Sequence, residues 1–237
     1  MVDVAAFDFD GTLTSGGSVF DFLTAVVGRR AVLSSSLGLA TRLAHAALVG
    51  GTAADDTKEV LFTRLLAGRD ADEVGQVAAR FARHHLARHL RTDVRDRFDW
   101  HRQRGDRTVI VSASPEVYVR TAGEILGADQ VLATRLAVDG RGALTGRYQG
   151  ANCRGEEKLR RLREWIDTEG VGGGALWAYG NSRGDLRMLR AADVGVNVGR
   201  LGRLGKLGRF AGLEGTAHSA AEAAIQRRNR GRPRRRS

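Results

Sequence analysis

The chain has 237 residues, 42% of them hydrophobic, and a formal net charge of +11. This length and composition allow one sizeable domain with a buried core, and they exclude a largely disordered protein. Eleven Arg or Lys residues and two Glu residues follow position 199, a net of +9, so the first 199 residues carry only +2. A general electrostatic surface for nucleic acid is therefore not expected on the body of the protein. The single cysteine, Cys153, excludes an internal disulfide and a multi-cysteine zinc site.

The beginning of the chain is an apolar, strand-like run, not the pattern of a signal peptide. The longest weakly polar stretch, residues 31–49, contains Arg42, His45 and consecutive serines. It is predicted to form an amphipathic helix because it is too polar for a membrane span. We therefore expect a cytoplasmic protein with a reduced thiol, with peripheral contact at a membrane as the alternative.

Short apolar runs alternate with helical patterns along much of the chain. The runs cover residues 2–9, 108–112, 175–179 and 194–198, and the helical patterns cover residues 116–126, 156–166 and 185–191. This alternation predicts an α/β fold, a Rossmann-like parallel sheet with helices on both faces. In such sheets ligands bind at the carboxyl ends of the strands. Residues 131–148, with the turn pair Asp139-Gly140, are predicted to form a β-hairpin.

The region between the first two runs breaks this alternation. Helical spacing of apolar residues is clearest over residues 71–90. We predict a helical cap, residues 18–103, inserted into a catalytic core made of residues 1–17 and 104–226. Residues 227–237 are predicted to be a disordered basic tail.

The segment Asp8-Phe9-Asp10-Gly11-Thr12 lies where the first strand gives way to a loop. Two carboxylates two residues apart point the same way on a continuing strand, so both can face one site. An aspartate can attack phosphorus to form an aspartyl phosphate, and a nearby carboxyl can protonate the leaving oxygen and then activate water. Gly11 and Thr12 are predicted to bind phosphate, since glycine lets the backbone approach it closely. Solvated acids at a strand end are the alternative, and the apolar run before them makes it costly.

Later positions carry polar groups that suit the same chemistry. Ser112 ends the second run, where its hydroxyl can donate to a phosphoryl oxygen, and Ser114 is assigned to the cap of the following helix. Lys158 can neutralise phosphate and carboxylates, although taken alone it favours a solvated lysine that pairs with neighbouring glutamates. Asn181 and Asp185 offer oxygen atoms of the kind that Mg²⁺ binds, with an ordinary loop and helix cap as the alternative. The order of these residues, each after a strand or on the following helix, makes the set specific.

DFDGT, the later serine, the lysine and the GNSRGD loop resemble the four motifs of haloacid dehalogenase-like hydrolases. The helical insertion and the SAS sequence are similar to the subgroup that contains phosphoserine phosphatases. The resemblance spans residues 2–200 and implies that Asp8 is the nucleophile and Asp10 the general acid/base. It also implies that Ser112 and Lys158 bind the phosphate.

The same resemblance implies Mg²⁺ as the cofactor. Its ligands would be Asp8, the main-chain carbonyl of Asp10 and Asn181, with Asp185 supporting the ion either through water or by contacting the ligands from behind. The family usually has aspartate at the position of Asn181. We therefore expect weaker magnesium binding with the reaction retained.

The resemblance also bears on the substrate. Phosphoserine phosphatases carry a substrate-recognising glutamate at the position of Gly17, and residues 144–158 look more like a subgroup of poorly assigned hydrolases. The first hypothesis is therefore a Mg²⁺-dependent phosphomonoester phosphatase acting through an aspartyl phosphate on a small-molecule or lipid-linked phosphate. A phosphoserine phosphatase is the alternative. A third hypothesis is a catalytically weak scaffold whose basic C-terminus binds nucleic acid or an anionic membrane.

Two further patterns receive simpler interpretations. His84, His85 and His89 share a predicted helix, and the last two have the spacing of a metal pair. Because no acid or cysteine stands nearby in the sequence, we interpret them as part of an exposed, arginine-rich helix face. Residues 200–210 are interpreted as a surface turn or helix, and residues 227–236 as a non-specific polycation.

Overall fold

A computed structural model describes residues 2–39, 52–171 and 173–199, together with the backbone of a short strand further on. The strands of the main sheet are β1 (Val2–Phe7), β2 (Arg107–Pro115), β3 (Gln130–Thr134), β6 (Gly173–Gly180), β7 (Val194–Asn197) and β8 (Gly208–Arg209). Their order across the sheet is β3-β2-β1-β6-β7-β8, and all neighbours are parallel. The predicted α/β fold is confirmed.

A separate antiparallel hairpin pairs β4 (Leu136–Val138) with β5 (Leu144–Tyr148). Its turn is held by Asp139, whose Oδ1 accepts hydrogen bonds from the main-chain N–H groups of Arg141 and Ala143. The predicted hairpin was too long. Its first residues belong to β3, which pairs with β2 in the main sheet.

Helices cover both faces of the main sheet. Successive residues of β1 point to opposite faces, so Ala5 and Phe7 belong to one buried cluster and Val4 and Ala6 to another. The first cluster includes residues of α6 (Glu116–Leu126), and the second includes residues of α7 (Glu156–Thr168) and α8 (Leu186–Ala191). In a parallel sheet covered on both faces, a ligand site is expected at the carboxyl ends of the strands.

Five helices of the described residues lie between β1 and β2. They are α1 (Val19–Val27), α2 (Arg29–Leu37), α3 (Thr52–Leu66), α4 (Ala71–His89) and α5 (Thr92–Gln103). The start of α4 is fixed by Asp70, whose side chain accepts a hydrogen bond of 2.9 Å from the Glu73 N–H. Ala78 of α4 and Phe98 of α5 join the same buried cluster as Phe7. The boundary between core and cap stays a prediction.

Several predictions fall on residues outside the described part of the chain. These are the second half of the amphipathic helix at residues 31–49, the segment 200–210 apart from the β8 backbone, and the tail from residue 227. Among the described residues, no helix combines the length and the apolar character needed to cross a membrane. Cys153 is a free, buried thiol.

Candidate active site

The carboxyl ends of three neighbouring strands bring the predicted residues together. In the sheet, Phe7 of β1 pairs with Ile110 of β2 on one side and with Tyr179 of β6 on the other. The N–H of Asp8 extends this pairing by donating to the Tyr179 carbonyl at 2.9 Å. The loops after β1, β2 and β6 therefore begin at the same edge, as the sequence order predicts.

Lys158 lies at the centre of the site and bridges two aspartates. Its Nζ donates to Oδ1 of Asp8 and to Oδ1 of Asp185, both at 2.6 Å. All three side chains are buried, and Lys158 is only 1% exposed. The alternative of a solvated lysine paired with Glu156 or Glu157 is wrong, because Lys158 is buried and donates to the two aspartates.

Burial and mutual charge set the protonation of this trio. Burial, together with the negative charge of Asp185, raises the pKa of Asp8 to about 7, against the opposing effect of the Lys158 ammonium. Burial also acts to raise the pKa of Asp185, but Lys158 and hydrogen bonds from Ser182 outweigh it and lower that pKa. Burial opposes the charge of Lys158, and the two aspartates overcome this and raise its pKa. Asp8 is thus the member of the trio that titrates near neutral pH.

Asp10 is held by a serine that the sequence assigned elsewhere. The hydroxyl of Ser114 donates to Oδ2 of Asp10, so its assignment as a helix cap is wrong. The helix α6 begins at Glu116, and Pro115 occupies the N-cap position. Oδ1 of Asp10 is buried and has no hydrogen-bond partner in the described part of the chain. An unsatisfied buried acceptor costs ~1–3 kcal/mol, so this oxygen is available to a ligand.

Ser112 lies in β2 just before the irregularity in its pairing with β3, and its hydroxyl oxygen accepts a hydrogen bond of 3.0 Å from the Ser114 N–H. This bond fixes the turn that presents the Ser114 hydroxyl to Asp10. Ser112 is itself 1% exposed. The structure therefore shows an organising contact for Ser112, and its phosphate-binding role stays a prediction.

Carboxylate, hydroxyl and amide oxygens meet at Thr12. The Thr12 hydroxyl donates to Oδ2 of Asp8 at 2.9 Å and lies 3.4 Å from Oδ1 of Asn181. Gly11 permits this approach, because a Cβ there would lie 2.0 Å from Nδ2 of Asn181, and its φ of +78° also suits glycine. A donor set made only of oxygens fits Mg²⁺.

Asp185 fixes the loop that carries Asn181. Its Oδ2 accepts from the N–H groups of Asn181 and Ser182 at 3.2 and 2.9 Å and from the Ser182 hydroxyl at 2.8 Å. Its Oδ1 is bonded to Lys158. Both oxygens of Asp185 are therefore bonded to protein groups, and Asp185 fixes the position of Asn181. Its predicted role at a metal site stays a prediction.

Lys58 of α3 reaches the site from the helical region and was missed by the sequence analysis. Its Nζ donates to the Ala113 carbonyl at 2.8 Å and to Oδ1 of Asn152 at 3.1 Å. Burial lowers the pKa of Lys58 to about 8, although the charge of Asp55 opposes the shift. The scarcity of lysine, three residues in all, was the only signal for it.

Arg91, between α4 and α5, was also missed. Its Nη1 donates to the Gly11 carbonyl at 3.2 Å and to the Val198 carbonyl at 3.0 Å. It also pairs with Asp93. Arg91 thereby connects the loop after β1 to the segment after β7. Because these segments are far apart in the sequence, no local pattern predicts the contact.

Comparisons with known proteins identify the family of the chain. Residues 5–190 match the family described as haloacid dehalogenase-like hydrolase. Protein CicA of Caulobacter vibrioides is 35% identical over 192 residues, which are 80% of this chain and 83% of that protein. A probable phosphatase of Mycobacterium tuberculosis is 30% identical over 197 residues, 79% of this chain and 65% of that protein.

A solved structure of a substrate-bound phosphoserine phosphatase complex shares the fold. Its TM-score is 0.62 at 18% identity, and the match covers 89% of this chain and 93% of that one. The family match includes every predicted site position from Asp8 to Asp185. The predicted superfamily is confirmed: the chain belongs to the haloacid dehalogenase-like hydrolases.

Proposed function

We propose that this phosphatase of the haloacid dehalogenase type hydrolyses a phosphomonoester through an aspartyl phosphate on Asp8, with Mg²⁺ as its cofactor. The observation that carries the proposal is the buried bridge from Lys158 to Asp8 and Asp185 at the carboxyl edge of the sheet. An ammonium in that position balances the charge of a nucleophilic carboxylate and of an incoming phosphate.

Asp8 supplies the attacking oxygen. Its two oxygens are oriented by Lys158 and by the Thr12 hydroxyl, so the carboxylate is held in one position for an in-line attack. The new bond joins Asp8 to phosphorus, and the ester P–O bond breaks. Water then attacks the phosphorus, releases inorganic phosphate and regenerates Asp8.

Asp10 moves the protons in both steps. Its Oδ2 is held by Ser114, and its unpartnered Oδ1 is free to face the substrate. As an acid, Asp10 gives a proton to the leaving alcohol oxygen. As the resulting carboxylate, it takes a proton from the attacking water.

Asp8, the main-chain carbonyl of Asp10 and Asn181 would hold the magnesium ion. When bound, it supplies positive charge that stabilises the phosphoryl oxygens. Asp185 keeps Asn181 in place through the hydrogen bonds described above. Because Asn181 is neutral, the site has one negative charge fewer than an aspartate would give, and the expected affinity for magnesium is lower.

The substrate we propose is a small-molecule or lipid-linked phosphomonoester, and phosphoserine is the alternative. Gly17 supports this order, because it is exposed and carries no side chain to recognise an amino acid. Binding of nucleic acid or anionic lipid by the basic C-terminus concerns residues outside the described ranges, and no observation on the described residues favours it over hydrolysis.

The test is phosphate release from a panel of phosphomonoesters that includes phosphoserine, sugar phosphates, nucleotides and phosphatidylglycerophosphate. Wild type, Asp8→Asn and the exposed control Asp72→Asn are compared with and without Mg²⁺. We expect magnesium-dependent release that the control retains and Asp8→Asn loses by at least ~10⁴-fold. Activity that persists in folded Asp8→Asn would rule out the proposed mechanism.

A further inference from the structure

A second cluster of metal-binding side chains lies among the helices between β1 and β2. One ligand atom from each of Asp21, His85 and His89 lies within 4.8 Å of the other two. The histidines are one turn apart on α4, and their rings stack with centroids 4.7 Å apart. Asp21 comes from α1. The sequence analysis found no acid near these histidines because this one approaches through the packing of two helices.

His85 does not belong to an exposed helix face, contrary to our sequence interpretation. It is 4% exposed, whereas His84 beside it is exposed. Within the described residues, Nε2 of His85 is buried and has no hydrogen-bond partner. Leaving a buried polar atom unpaired costs ~1–3 kcal/mol, and an ion would remove that cost.

The neighbours of the two rings fix their positions. Phe81 and Phe9 pack against His85 at centroid distances of 5.3 and 6.1 Å. Nδ1 of His89 lies 3.4 Å from the Ser15 hydroxyl. A hydrogen-bond partner on one ring nitrogen is the usual arrangement for a histidine that binds metal through the other.

Two imidazole nitrogens and one carboxylate oxygen suit a borderline ion. Zn²⁺ binds such mixed sets tetrahedrally, whereas Mg²⁺ prefers oxygen alone. Bonds of ~2.0–2.1 Å would bring the three ligand atoms to about 3.3 Å from one another, closer than the 4.8 Å within which they lie in this structure. Three protein ligands leave the fourth position for water or a ligand.

We propose that Asp21, His85 and His89 form a metal site selective for Zn²⁺ over Mg²⁺ and distinct from the site at Asp8. The Phe9 ring, which packs on His85, lies between Asp8 and Asp10 in the sequence. An ion bound here therefore lies beside the loop that carries the proposed nucleophile and acid. The proposal does not depend on the hydrolysis proposed above.

The experiment uses the full chain, stripped of metal with a chelator and then kept in excess Mg²⁺ to occupy the oxygen site. Zn²⁺ is titrated by calorimetry, and Co²⁺ replaces it as a spectroscopic probe of tetrahedral geometry. We expect one Zn²⁺ per chain in wild type, in Asp8→Asn and in the matched control His84→Ala. Affinity should fall at least tenfold in His89→Ala and in Asp21→Asn.

The choice of variants keeps the result decisive. Asp21 is exposed and its replacement by asparagine is isosteric, so Asp21→Asn is expected to keep the fold. Absence of Zn²⁺ binding by wild type in excess Mg²⁺ would overturn the proposal. Zn²⁺ binding that is equal in wild type, His89→Ala and Asp21→Asn would overturn it as well, because the ion would then be bound elsewhere.

Discussion

Two lysines reach the carboxyl edge of the sheet from two regions of the molecule, and their pKa values shift in opposite directions. Lys158, on a helix of the α/β layer, contacts Asp8 and Asp185, and its pKa is raised. Lys58, from the helices between β1 and β2, contacts a main-chain carbonyl and the amide of Asn152, and its pKa is lowered to about 8. Burial pushes both toward the neutral form. Two carboxylates in contact reverse that effect, and neutral acceptors do not.

The two regions therefore differ in the kind of positive charge that they provide. The strand ends hold a cation between two carboxylates, and such a cation would stabilise charge in the proposed phosphoryl transfer. The helical region presents a lysine whose charge is lost at mildly alkaline pH. Lys58 therefore contributes a charge that is lost as the pH rises past about 8, whereas Lys158 keeps its charge.

The largest effect is expected from Lys158→Met, compared with the same replacement at Lys58. Methionine has a length similar to that of lysine and carries no charge. Lys158→Met leaves two buried carboxylates side by side, so the free energy of unfolding should fall by ~3–5 kcal/mol. Turnover should fall at least ~10²-fold. Lys58→Met removes hydrogen bonds to neutral groups and should cost ~1–2 kcal/mol. Urea unfolding measures the two changes in the free energy of unfolding, and phosphate release measures turnover. Equal losses of stability in the two variants would contradict the difference between the lysines.

A smaller effect on turnover is expected from Ser114→Ala. This change removes the hydroxyl that donates to Asp10, and a hydrogen bond to a charged group contributes ~1.5–3 kcal/mol. The rate of phosphate release should fall by ~10- to 100-fold with the fold intact. Ser34→Ala, on an exposed position of α2, is the matched control. An unchanged rate in Ser114→Ala would remove Ser114 from the proton-transfer machinery.

The strand-end region could be predicted from sequence because each polar residue lies near or just after the carboxyl end of its own strand. The parallel order then brings Asp8, Ser112 and Asn181 to one edge whatever the helices do. Ser114 was misassigned because a shift of one residue in the start of a helix changes which side chain caps it. The prediction for Lys158 depended on the motif order, since local sequence alone favoured pairing with its neighbouring glutamates.

The helical region was less predictable for a physical reason. Helical spacing located α4 almost to the residue, ending at His89. Which face turns inward, and which distant helix meets it, depends on tertiary packing. Lys58, Asp21 and His85 owe their surroundings to that packing, and no local pattern marks them.

A change of about tenfold is expected for magnesium in Asn181→Asp. The substitution adds a negative charge to the proposed oxygen site, and the half-saturating Mg²⁺ concentration should fall roughly tenfold, equivalent to ~1.4 kcal/mol. The matched control is Asn152→Asp, which makes the same change beside Lys58. It should leave the magnesium requirement unaltered. An equal response in both variants would show that overall charge, and not the position of Asn181, sets the affinity.

The smallest effect concerns the pH dependence of stability. The pKa of Lys58 is about 8 in the folded protein, against an ordinary value of 10.5. Between these pH values Lys58 is protonated in the unfolded chain and neutral in the folded protein. The contribution of Lys58 to stability should therefore rise with pH across that window.

Lys58→Met should abolish this rise. Asn152→Asp should reduce it, because a new carboxylate raises the pKa of Lys58 toward its ordinary value, as Asp8 and Asp185 do for Lys158. Urea unfolding from pH 7.5 to 10 measures the slope of the free energy of unfolding against pH. Asn152→Asp also removes the hydrogen bond from Asn152 to Asp55, which lowers the free energy of unfolding at every pH and leaves the slope unchanged. A slope in Asn152→Asp equal to that of wild type would show that contact with a carboxylate does not set the charge of these lysines.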